Sequence, residues 1–215
     1  MTGKTHLAIG AAIGAASAIY YSSDLGEMAL FIGVAGFSAL CADLDGPSML
    51  TSKLTKLSKR IREFSLWGAV LYLILITYFF LSGKTISPII AGGSFAAVLA
   101  GLVMKQGFVR NALVSIVGLY LIYHGFSHEQ TWLMGLGLFV GWAPWLKHRG
   151  MTHTLWIIPF WGWIGWGLEQ ELGVTGLGVT AMLGYISHLV ADTLTPSGVK
   201  WLYPLTKKSF KLRLK

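Results

Sequence analysis

The chain has 215 residues, 54% of them hydrophobic and only 12% charged, with a formal net charge of +8. A soluble domain carries about 25% charged residues, so this composition excludes an ordinary soluble globule and points to an integral membrane protein. The lone cysteine, Cys41, excludes an intramolecular disulfide and reads as a small packing residue. The basic residues lie in short loops, with no basic face interleaved with aromatics, which sets nucleic acid aside.

About eight apolar spans are predicted, at 6–22, 28–45, 65–82, 87–104, 111–125, 131–146, 153–168 and 174–194. The first follows Lys4 and contains Ala16-Ser17-Ala18, the outline of a signal peptide. It reads instead as a retained helix, because cleavage would remove His6 and leave an odd number of crossings. Between the second and third spans, Leu50, Leu54, Leu57 and Ile61 recur at helical spacing among lysines and arginines. Residues 50–63 therefore read as an amphipathic helix in the inner interface. The third to sixth spans carry almost no ionisable residues, and Gly92, Gly93, Gly101, Gly118, Gly135, Gly137 and Gly141 suit close helix packing. The fifth and sixth are short for a hydrocarbon core about 30 Å thick and read as tilted, buried or partly re-entrant.

Charge sets the orientation. With the N-terminus in the cytoplasm, the inner loops hold Lys4, then Lys53, Lys56, Lys59, Arg60 and Arg62, then Lys105, Arg110, Lys147 and Arg149. The basic tail from Lys200 to Lys215 joins them, and Lys84 falls outside. The outer loops hold Asp24, Glu27, Glu129, Glu169 and Glu171. By the positive-inside rule the prediction is an all-α, polytopic membrane helix bundle with both termini cytoplasmic. It reads as one domain over 1–215, with motifs in 1–50 and 145–205 and a scaffold of spans between 65 and 145. Its expected location is a bacterial-type inner membrane.

That topology gathers the residues able to ligate a metal. His6 opens the first span, and Asp43 and Asp45 close the second before Gly46-Pro47. His148 and His153 flank the start of the seventh span, while His188 and Asp192 lie four apart on one face of the eighth. Taken singly, each has a plainer reading. His6 suits a helix start, Asp43 and Asp45 suit caps, and Arg149 suits an inner-face cation. His124 and His128, also four apart, fall on the outer side beside Glu129 and read as interfacial. The functional case is the joint placement of seven ligand-type residues at one membrane face, where unpaired ionisable groups are costly.

Histidine nitrogens with carboxylate oxygens suit Zn²⁺, and also Mn²⁺ or Fe²⁺. Seven candidates exceed the needs of one tetrahedral ion, so two ions are expected, bridged by an aspartate. Such sites activate water and clamp both oxygens of a phosphoester. Asp45 or Asp192 is the expected general base, and Arg149 the expected partner of a substrate phosphate.

Thr5-His6 with Gly10, Ala42-Asp43-Leu44-Asp45, and His148-Arg149-Gly150-Met151-Thr152-His153 form a recognisable series. Ser187-His188-Leu189-Val190-Ala191-Asp192, Thr195-Pro196-Ser197-Gly198 and Tyr203-Pro204 continue it. In these motifs the chain resembles the YdjM-type family of inner-membrane proteins, described as membrane-bound metal-dependent hydrolases. The resemblance implies an α-helical membrane protein with hydrolase activity. The family pattern commonly reads Asp-x-Asp-His after a proline, where this chain has Gly46, one potential ligand fewer.

The leading expectation is therefore a metal-dependent hydrolase at the cytoplasmic membrane face. Its expected partners are membrane lipids, and its expected substrate is a phosphoester of a lipid or lipid-linked molecule. A metal-handling transporter is the second reading, and it would place polar groups near the bilayer midplane. A scaffold or regulator with a structural metal is the third; such sites are closed, four-ligand and cysteine-rich.

Overall fold

The computed structural model describes residues 1–83, 87–103 and 107–212. Lys84, Lys105, Arg213 and Lys215, which enter the charge bias, lie outside the described residues, as do the surroundings of Gly101. The described chain is helical: α1 (Gly3–Tyr21), α2 (Leu25–Cys41), α3 (Ser52–Leu81), α4 (Pro88–Val103), α5 (Phe108–Ser127), α6 (Thr131–Trp142), α7 (Ile157–Leu172) and α8 (Leu177–Thr193). Short 3₁₀ turns cover Ala42–Asp45, Ala143–Trp145 and Met151–His153.

Each predicted span falls on one of these helices, but the ends differ for local reasons. α2 stops at Cys41, and the two aspartates ride the 3₁₀ turn that follows, closed by Gly46 and Pro47. Pro144 ends α6 at Trp142. α7 begins at Ile157, because Gly150 and the Met151–His153 turn occupy the stretch assigned to its start. The expected interfacial helix and the third span are one continuous helix, α3. Nothing between Arg62 and Leu66 breaks it, since that stretch holds neither glycine nor proline. Among the described residues, three segments are long and apolar enough to cross a membrane: Leu25–Asp45, Ser52–Leu81 and Phe108–Ser127. α6, with 12 residues, is about 18 Å long and shorter than a hydrocarbon core.

The described residues form two compact units, Met1–Ser52 with Val114–Lys215, and Lys53–Leu113. In the first, α2 packs against both α1 and α8, α7 packs against α8, and α6 against α7. The starts of α1 and α2 are set by side-chain caps: Thr2 accepts from Thr5 N–H, and Asp24 accepts from Gly26 and Glu27 N–H. Close approach of backbones holds the helices together. A Cβ on Gly14 would lie 2.5 Å from Ile32 Cα, and one on Gly184 would lie 2.5 Å from the Ala35 carbonyl oxygen. Phe31, Ala35, Ala39, Cys41, Trp161 and Tyr185 fill the core between them. Gly118 and Gly137 pack as predicted, each against backbone of the facing helix, whereas Gly92 and Gly93 face open space.

In the second unit, the Tyr72 hydroxyl donates to the Ala91 carbonyl (3.1 Å), tying α3 to α4. The 30 residues of α3 span about 45 Å, and Phe64, Trp67, Leu71 and Ile74 along it are exposed. Its basic first turns carry one ion pair, Lys59 to Glu63 at 3.8 Å.

The packing leads to a contrast between two glycines. Gly184→Val forces α8 off α2 and destabilises the protein by at least about 1–3 kcal/mol. Gly33→Ala, where nothing lies within 4 Å, stabilises it by up to about 0.5–1 kcal/mol. Thermal unfolding of the two detergent-purified variants beside the parent checks both signs.

Candidate metal centre

The crossing of α1, α2 and α8 brings the start of α1 to the ends of α2 and α8. His6, His153, His188 and Asp192 are each at most 1% exposed, and Asp45 is 4% exposed. All seven ligand-type residues singled out from the sequence meet here. They form three overlapping groups in which one ligand atom per residue lies within 4.8 Å of the others: His6, Asp43 and His188; His153, His188 and Asp192; Asp43, Asp45 and His148. Asp43 and His188 each belong to two groups. His124 and His128 lie apart, stacked on each other at 4.2 Å.

The tautomers of the two central histidines follow from their outer partners. His188 Nδ1 lies 2.6 Å from the Ala39 carbonyl, which can only accept, so Nδ1 carries the proton. The Thr152 hydroxyl donates to Asp45 Oδ2 (2.6 Å), and its oxygen accepts from His153 Nδ1 (2.9 Å). As neutral rings, both imidazoles turn a bare Nε2 to the centre, and the two nitrogens face one another at 3.3 Å. Carboxylates complete the ring. Asp43 Oδ1 lies 3.5 Å from His188 Nε2 and 3.8 Å from His153 Nε2. Asp192 Oδ2 lies 3.8 Å from both.

Two lone pairs and two carboxylates pointed at one another repel. Separations near 3.3 Å are those of donors about 2.0–2.1 Å from a shared tetrahedral ion. The backing of each histidine by a carbonyl or a carboxylate-bound hydroxyl is the usual second shell of a metal site. His6 adds to the fit: its ring stacks on His188 at 3.8 Å, and its buried Nδ1 has no hydrogen-bond partner among the described residues. The donor set thus fits one or more divalent ions.

The loop 147–154 is fastened from several sides. Asp45 accepts from His148 Nδ1 (2.7 Å) and from the Arg149 N–H (3.0 Å) as well as from Thr152. The hydrogen bond to Asp45 raises the His148 pKa above its ordinary value. Arg149 adopts a left-handed backbone, φ 58°, which turns its side chain to α8. There its guanidinium pairs with Asp192 Oδ2 (2.9 Å) and donates to Thr195 Oγ1 (3.3 Å) and the Gly198 carbonyl (3.2 Å). The Tyr185 hydroxyl donates to the Thr152 carbonyl at 2.6 Å. The Met1 ammonium lies 3.2 Å from Asp192 Oδ1.

Thr152, Tyr185 and the Ala39 carbonyl are the supporting groups that sequence reasoning did not single out. Thr152 had one available signal, its place inside the motif between the two histidines. A Cβ on Gly46 would lie 3.2 Å from His148 Nδ1, so the His148 ring occupies the space beside the position where the family pattern has a histidine. A pocket of about 200 Å³ opens onto the cluster, bordered by His6, Asp43, Ser48, His148, Arg149 and Asp192.

The sequence profile of the YdjM inner membrane protein family matches residues 1–128 and 82–215, which together cover the chain. No curated protein and no solved structure matches.

Thr152 supplies a direct check on the histidine–carboxylate relay. Thr152→Val keeps the volume but breaks the link from Asp45 to His153, and it weakens divalent-metal affinity by about 10–100-fold. Competition with a fluorescent chelator on purified protein reads that loss, and His124→Ala leaves the affinity unchanged.

Proposed function

Because the chain belongs to the YdjM inner membrane protein family, we propose that it is a membrane-bound, metal-dependent hydrolase of a phosphoester in a lipid or lipid-linked substrate. The observation that carries the reading is the pair of bare histidine nitrogens at 3.3 Å, ringed by Asp43 and Asp192. Asp43, His153, His188 and Asp192 hold one ion, and His6, Asp45 and His148 extend the set toward a second. Zn²⁺ suits these donors best, with Mn²⁺ and Fe²⁺ as alternatives. A divalent ion there supplies Lewis acidity toward the phosphoester and lowers the pKa of water.

The chain's own residues do the rest. Asp45 accepts three hydrogen bonds, from His148, Arg149 and Thr152, so it serves as a positioning residue that orients the loop. Of the two expected general bases, Asp192 lines the open pocket and Asp45 does not, so Asp192 is the better one when it serves as base instead of ligand. Arg149 commits donors to Asp192, Thr195 and Gly198 and still lines the pocket, where its remaining N–H groups meet a phosphate oxygen. The cysteine-free donor set and three overlapping ligand groups favour this reading over a closed structural site.

The same reading places the pocket at the cytoplasmic face of a single membrane domain, with eight crossings and both termini inside. Support comes from the basic first turns of α3 (53–62), the loop 147–149 and the basic tail, set against Asp24, Glu27, Glu129, Glu169 and Glu171.

Single-residue variants test the activity. His153→Ala and His188→Ala lower metal-dependent hydrolysis of lipid phosphoesters by at least about 100-fold, the upper end of what second-shell losses cost. His124→Ala retains it. Turnover that survives both ligand substitutions, or that persists after full chelation, contradicts the proposal.

A further inference from the structure

A second cavity, of about 520 Å³, lies beside α8 on the side of Val190 and Thr193, and the residues of the metal cluster do not line it. Its walls are Leu155, Val190, Trp201, Leu202, Phe210 and Leu212. The size falls in the range of about 300–1,000 Å³ typical of sites for small apolar ligands. Its apolar residues are left open: Leu155 is 40% exposed, Val190 46%, Phe210 40% and Leu212 64%.

Hydrogen bonds build the cavity. The chain after α8 folds back, and Val199 and Phe210 pair through two main-chain bonds, at 3.1 and 2.8 Å. Leu212 N–H donates to the Thr193 carbonyl (3.0 Å), and Leu155 N–H donates to the Trp201 carbonyl (2.9 Å). The Trp201 indole N–H donates to Thr193 Oγ1 at 2.9 Å. These bonds occupy the Thr193 hydroxyl and carbonyl and the Trp201 indole and carbonyl, and apart from Lys211 the other lining side chains are hydrocarbon or aromatic.

Charge defines the occupant. Among the described residues, Lys211 is the one ionisable residue lining the cavity. The segment 199–212 that forms the wall holds Lys200, Lys207, Lys208 and Lys211, and neither aspartate nor glutamate. A flexible lysine lays its stem on apolar surface and keeps its ammonium in water, where it meets an anion at the rim. An apolar slot bordered by Lys211, on a segment that carries lysines and no acidic residue, matches a chain of hydrocarbon ending in a phosphate.

We propose that this groove binds one acyl chain of an anionic bilayer phospholipid, with Lys211 and its neighbouring lysines facing the headgroup phosphate. The groove stands independently of whether the metal centre acts on lipid, and binding there needs no metal.

Photo-crosslinking tests it on the full chain in nanodiscs, with phosphatidylglycerol carrying a diazirine in one acyl chain. Labelled peptides contain Leu155, Val190 and residues 199–212. Val190→Trp, which fills the slot, lowers that labelling at least about fivefold. Leu155→Trp repeats the result from a loop position, should the helix substitution impair folding. Lys211→Glu lowers labelling by phosphatidylglycerol about fivefold, the worth of one lysine at an anionic surface, and leaves that by phosphatidylcholine unchanged. Chelation of metal leaves the pattern intact. Labelling spread evenly over exposed apolar residues such as Trp67 and Leu71, labelling unchanged by both tryptophan variants, or cross-links from the groove to a second copy of the chain would each overturn the proposal.

Discussion

Asp43, Asp45 and Asp192 stand among four histidines in a protein with few charges, and each unpaired charge at membrane depth costs about 3 kcal/mol. Arg149 and the Met1 ammonium face Asp192, while Asp43 has only histidines beside it. Negative charge is therefore in excess, and the hydrogen bonds around it make the excess worse. The Ala39 carbonyl and the Thr152–Asp45 relay fix protons on the outer nitrogens of His188 and His153, which aims two lone pairs inward. A divalent cation between these groups turns that arrangement from repulsion into attraction.

The fold serves this constraint. Gly14 and Gly184 let α1 and α8 close on α2 at backbone contact, so that residues 6, 43 and 188 share one small volume. The 3₁₀ turn after α2 lifts Asp43 and Asp45 out of the helix and splits their roles. Asp43 faces His153 and His188, whereas Asp45 turns to the loop and accepts three hydrogen bonds from it. Arg149 then ties that loop to Asp192 and to the turn after α8. The carboxylates thus work in two layers, one toward the centre and one behind it.

Much of this was legible in the sequence, because ligand-type side chains stand out in an apolar chain. His6, Asp43, Asp45, His148, His153, His188 and Asp192 were visible by residue type, by spacing and by their place at span ends. The existence of each helix followed from the apolar runs. The helix ends did not, since the turns at Ala42–Asp45 and Met151–His153 depend on glycine, proline and tertiary hydrogen bonds that periodicity does not carry. The passage from the amphipathic stretch 50–63 to the apolar span 65–82 suggests a boundary where α3 runs on, because a change in side-chain polarity alone does not stop a helix. Thr152 is marked only by its place between two histidines, Tyr185 is a common residue type with nothing to mark it, and the Ala39 carbonyl carries no sequence signal at all. Arg149 was noticed for its charge, but its ties to Asp192, Thr195 and Gly198 depend on a left-handed backbone visible only in the folded loop.

The central claim is that these residues form a nitrogen- and oxygen-ligated metal centre. X-ray absorption spectroscopy of the purified protein tests it most directly. The account predicts a stoichiometric divalent metal with a first shell of nitrogen and oxygen at about 2.0–2.2 Å and the outer scattering of imidazole rings. A metal-free protein, or a first shell containing sulfur, would contradict it.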